Sequence, residues 1–138
     1  MTTMIAGFTA AALVAAAVSD PAWTASLRSP DGAALAATAR VEQLGGDSLR
    51  ITIDVRGAEP GGSVPWSLYR GRCSALGAVH GSRSAYPDLA LDLSGETWEV
   101  ASVAAPLQAG QTYAVAIGEP GTRPSACGNL EAVVAGRN

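Results

Sequence analysis

Apolar and polar side chains alternate along most of the chain, and the clearest run is "SLRITIDVRG". There Leu49, Ile51, Ile53 and Val55 share one face while Arg50, Thr52, Asp54 and Arg56 share the other, so one face meets a core and one meets water. The same period of two predicts strands in "AWTASLRS", with Trp23, Ala25 and Leu27 inward, and more loosely in "AATARVEQL". "VPWSLYRGRC" places Val64, Trp66 and Leu68 inward and Ser67 and Tyr69 on the opposite face. "DLALDLSG" alternates through Leu89, Leu91 and Leu93, "TWEVASV" is read with Trp98 and Val100 inward, and "TYAVAIG" presents Tyr113, Val115 and Ile117. "NLEAVV" is the last short strand. Turn signals such as "SPDG", "GGDS", "AEPGGS" and "APLQAGQ" separate these runs. About eight short strands, each with one apolar face, predict an all-β fold: an antiparallel Greek-key β-sandwich or flattened barrel. Only Gly71 to Pro87 shows no period, and a loop of that length is uncommon unless it is functional or pinned.

Composition agrees with short strands and tight turns. The 138 residues are 48% hydrophobic and 15% charged, with sixteen glycines and eight prolines, which suits one domain large enough to bury a core without a metal. The net charge is −3 and all nine basic residues are arginines spread without a run, so the footprint of a nucleic-acid binder is missing. The first nineteen residues carry no charge, and Ile5 to Val18 is an apolar, alanine-rich run. It is shorter than the roughly twenty residues of a membrane span and fits the core of a signal peptide. Residues 1–19 are therefore expected to be a leader and residues 20–138 the domain. A cut after Ala17, or a buried N-terminal helix in place of a leader, are the alternatives. The expectation is a secreted, periplasmic or cell-envelope protein with no stable membrane span once the leader is removed. In such an oxidising compartment Cys73 and Cys127 are free to pair; two buried thiols are the other reading.

Catalytic chemistry is scarce. His80, in "GAVHGS", is the single histidine, and its plain reading is a loop residue, with a ligand or switch role as the minority one. Asp54 and Glu42 are expected on solvent faces, and Asp88 and Asp92 flank a strand. Neither "GxSxG" nor a phosphate-cradling glycine loop occurs, and the "GG" pairs at Gly45 and Gly61 are explained by turns. Neither cysteine has a second ligand at zinc-finger spacing. The tryptophans Trp23, Trp66 and Trp98 are expected in the core, with an aromatic patch near Tyr69 and Tyr86 as the binding alternative.

Read in order, "ATARVEQL", "VRGAEPGG", "VPWSLYRGRC", "AYPDL", "LQAGQTYAVAI" and "SACGNL" resemble the copper/zinc superoxide dismutase-like β-sandwich, and more narrowly its small exported bacterial relatives, close to chordin-type (CHRD) domains. The resemblance covers about residues 22 to 134. It implies a disulfide between Cys73 and Cys127, which fall on the family's two cysteine positions. It also implies where copper would sit, and there the chain departs. A family strand reads like "HPWHIHRGRC", where this chain has Val64, Ser67 and Tyr69; a later family strand reads "VNVH", where "VAIG" puts Gly118. His80 corresponds only loosely to the bridging histidine, its spacing off by about one residue. A redox copper needs several nitrogen ligands in fixed geometry. The expectation is thus a metal-free, non-enzymatic binding or structural module with no cofactor. The alternatives are a dismutase-type enzyme with a rebuilt site, or a copper-handling protein using His80 with a carboxylate such as Asp88.

Overall fold

The computed structural model describes residues 21–133, so the expected leader lies outside the described residues. Eleven strands occur there: β1 (Ala22–Arg28), β2 (Ala36–Leu44), β3 (Ser48–Arg56), β4 (Ser63–Val64), β5 (Trp66–Arg72), β6 (Ala75–Val79), β7 (Leu89–Ala90), β8 (Thr97–Val103), β9 (Tyr113–Ile117), β10 (Ala126–Asn129) and β11 (Glu131–Ala132). A single turn of 3₁₀ helix spans Arg83–Ala85. The fold is all-β, as the alternation predicts. One antiparallel sheet runs β6-β5-β9-β10-β1-β2-β3-β8 and curls into a half-barrel, with β11 beside β1; β4 and β7 form a separate two-stranded piece. β1, β2 and β3 form a meander, but β9 sits between β5 and β10, and β8 lies beside β3. The chain therefore crosses between the two halves of the sheet in the manner of a Greek key.

Curling brings the apolar faces of both halves together. Leu27, Val41, Ile51, Ile53 and Val55 from the meander share one core with Trp66, Leu68, Val115 and Ile117 from β5 and β9. In β10 the close approach to β1 requires Gly128: a Cβ there would collide with the backbone carbonyl of Ser26. The turn after β5 is fastened to the same strand twice, by the Cys73–Cys127 disulfide (Cα–Cα 5.9 Å) and by the Cys73 backbone N–H, which donates to Asn129 Oδ1 at 2.9 Å.

Four expectations need correction. β8 faces the other way from its sequence reading: Trp98 pairs with Asp54 and Val100 with Thr52, on the outer side, while Ala101 and Val103 are buried opposite Ile51 and Leu49. Trp98 is 68% exposed. In "TWEVASV" either face can be taken as apolar, and pairing with the unambiguous β3 decides the register. Leu93, expected inward, is 93% exposed at the tip of the turn between β7 and β8. The segment Gly71 to Pro87 is not one loop: it contains β6, paired with β5 through an irregular register, and the 3₁₀ turn. The last strand begins earlier than "NLEAVV", at Ala126.

Two stability measurements test this architecture. Trp98→Ser should leave the urea midpoint within about 0.5 kcal/mol of the parent, whereas Trp66→Ala should destabilise by about 3–5 kcal/mol; equal effects would contradict the register of β8. Breaking the disulfide, which closes a sequence separation of 54, should lower stability by about 4 kcal/mol on the loop-entropy estimate. Cys73→Ser should reproduce that loss, and reductant should add nothing further to the variant.

Candidate functional site

β5 and β9 are buried on both faces, unlike the strands of the meander. On their outer side Ser67 lies opposite Ala116 and Tyr69 opposite Ala114, and the small alanines leave room beside the larger side chains. The segment after β9 folds back over this surface. A cleft of about 320 Å³ results, lined by Tyr69, Cys73, Leu76, Gly118, Glu119 and Pro124 among others. Arg83 from the 3₁₀ turn reaches across to Glu119, Nη2 to Oε2 2.9 Å, an exposed pair at the cleft's edge. Burial pushes the Tyr69 phenol above its ordinary value, opposed by its contact with the Ser67 hydroxyl and by the nearby Arg83 charge. The alternative of an exposed aromatic patch at this place is not found, since Tyr69 is 5% exposed and Tyr86 is equally enclosed.

The backbone at Gly118 is as informative as its missing side chain. Its φ is +136°, a conformation that residues with a Cβ rarely adopt, and a Cβ built there would lie 3.4 Å from Pro124 Cα. The amide of Gly118 donates to the Pro65 carbonyl at 2.8 Å, which holds this geometry in place.

His80 lies on the other face of the sheet. Its ring is 2% exposed and packs edge-on against Tyr113, centroid separation 5.2 Å, on the core side of β9. Nε2 is 2.9 Å from the Ala105 carbonyl, which can only accept, so Nε2 carries the proton. Nδ1 is buried without a hydrogen-bond partner among the described residues. The structure thus brings Tyr69 and Gly118 to one cleft with Ser67 beside them, and it separates His80 from all three. Asp88 is exposed while His80 is enclosed. No group of three or more histidine, cysteine or carboxylate side chains suited to a metal ion occurs among the described residues.

What His80 does instead is structural. Its carbonyl accepts from the Tyr86 hydroxyl at 2.6 Å, the Tyr86 ring meets Trp66 edge-on at 5.3 Å, and Trp66 Nε1 donates to the Pro87 carbonyl at 2.7 Å. At the far side, the Tyr113 hydroxyl accepts from the Gln108 amide at 2.9 Å. The aperiodic spacing of these aromatics hides the belt from pattern reading. Their type, large rings with polar tips, was the one available signal.

Comparison with known proteins returns no match: no family model, no curated protein and no solved structure matches the chain. No helix among the described residues is long and apolar enough to cross a membrane.

Burial pushes the Tyr86 phenol far above its ordinary value of 10.0. A tyrosine whose folded pKa is raised stays neutral in the folded chain while the unfolded chain ionises, so its stabilisation is full below about pH 10 and falls as pH rises beyond. With no lysine in the chain, no amine side chain contributes to this alkaline limb. Urea midpoints from pH 8 to 11 should stay level and then fall, and Tyr86→Phe should give a lower plateau with a shallower fall. An unchanged slope in that variant would place the alkaline sensitivity elsewhere.

Proposed function

We propose that the protein is a metal-free relative of the copper/zinc superoxide dismutase-like β-sandwiches, non-enzymatic, acting as a binding or structural module outside the cytoplasm. The observation that carries this reading is Gly118. At the position where the resemblance puts a copper-binding histidine, the chain has no side chain and a backbone at φ +136°, which residues with a Cβ rarely adopt. Val64, Ser67 and Tyr69 stand where the resemblance puts the histidines of the earlier strand, and a phenol held protonated by burial is a poor copper ligand. Support for export comes from the Cys73–Cys127 disulfide, which an oxidising compartment maintains, together with the leader-like residues 1–19.

The reading is checked by metal content. Purified mature protein incubated with copper and zinc salts, then dialysed, should retain far less than one equivalent of either metal by elemental analysis, and should not dismute superoxide. A full equivalent that survives dialysis would overturn it, and dismutation lost in His80→Ala would establish a rebuilt enzyme site in its place.

A further inference from the structure

The end of the half-barrel where β9 begins carries a second hollow, of about 450 Å³, at the opposite end of that strand from Gly118. Its walls are Trp23 at the start of β1, Tyr113, and the turn from Leu107 to Gln111. Among the described residues no carboxylate, guanidinium or imidazole lines it, which sets it apart from the Tyr69 cleft with its Glu119. Three carboxamides do: Gln43, Gln108 and Gln111. None of the three side chains is engaged in a hydrogen bond among the described residues.

Backbone bonds hold this arrangement. The Gln43 amide donates to the Pro21 carbonyl at 3.0 Å, Gln111 to Gln108 at 3.3 Å, and Leu130 to Tyr113 at 2.9 Å. The Tyr113 hydroxyl accepts from the Gln108 amide, so its own proton is left to donate. A charged ligand would find no counter-charge among the described lining residues. A purely apolar one would strip water from three carboxamides without replacing those hydrogen bonds. The lining suits a neutral molecule with one apolar face and many hydroxyls.

We propose that this hollow binds a neutral saccharide of one or two pyranose rings, its C–H face on the half-buried indole of Trp23 and its hydroxyls on the carboxamides of Gln43, Gln108 and Gln111. A carboxamide both donates and accepts, so three of them match the mixed hydroxyl pattern of a sugar ring, and the indole supplies a flat apolar platform at small entropic cost. The inference uses no residue of the Tyr69 cleft. A copper-loaded protein would overturn the proposed function and leave this site standing, and failure here would leave the metal-free reading untouched.

The test is a titration of ¹⁵N-labelled mature protein with glucose, galactose, N-acetylglucosamine, maltose, cellobiose and N,N′-diacetylchitobiose. At least one should shift the Trp23 indole and the glutamine carboxamide signals saturably, with the Trp66 and Trp98 indoles unmoved. Gln43→Ala and Gln111→Ala, which alter the rim rather than the core, should each weaken that binding about tenfold while leaving the urea midpoint unchanged. Trp23→Phe, which keeps a ring at the platform, should retain weaker binding. Overturning results are no saturable shift at Trp23 with any of the six sugars, or binding that both glutamine variants leave intact.

Discussion

The structure depends on closing the core of a sheet whose two end strands, β6 and β8, do not hydrogen-bond to each other. A sheet that curls only part of the way leaves one side of its interior to be covered by something other than a strand. Here the chain between β6 and β7 supplies Tyr86, seated against Trp66 and bonded to the His80 carbonyl, while the His80 ring reaches the Ala105 carbonyl just beyond β8. These contacts tie the two unpaired ends of the sheet through side chains. Because each aromatic tip meets a backbone carbonyl, the ties are directional where simple apolar packing would allow sliding.

This role keeps the single histidine away from the outer face of β5. An imidazole committed to the core by its ring stacking and by the Ala105 carbonyl is withdrawn from the face that holds Ser67 and Tyr69. The two faces of β5 have separate duties: Trp66 and Leu68 build the interior, and Ser67 and Tyr69 build a covered outer surface with the alanines of β9. Covering that surface is in turn the work of the segment after Gly118, whose tight backbone turns the chain back over β9.

Legibility in the sequence follows how much each residue's meaning is local. In β3 every inward residue is a large aliphatic and every outward one is polar, so fold class and face could be read directly. In β8 the one bulky aromatic suggested the wrong face, because Trp98 is decided by its partner Asp54 across the sheet and not by its own hydrophobicity. β6, in "ALGAV", has side chains too small to show a face, and β10 is marked by a cysteine and a glycine that serve the disulfide and a close approach. The two cysteines and the identities of Ser67, Tyr69 and Gly118 were visible as residue types, and the Cys73–Cys127 bond needed the fold to bring its halves together. The positive φ at Gly118, the inward turn of His80 and the gathering of Gln43 with Gln108 and Gln111 were not, since each depends on segments far apart in the chain.

The two ends of the described chain lie side by side: Val133 donates to the Ala22 carbonyl at 2.8 Å, and Trp23 pairs with Ala132. Tension applied through both ends would therefore peel β11 from β1 one hydrogen bond after another, a low-force geometry compared with shearing a whole strand at once. Further extension would draw out the strands before Cys73, and the 54-residue separation behind the Cys73–Cys127 bond contributes no length until a sulfur bond breaks. A domain joined this way yields first at its seam, and the sulfur bond sets a fixed limit on its travel.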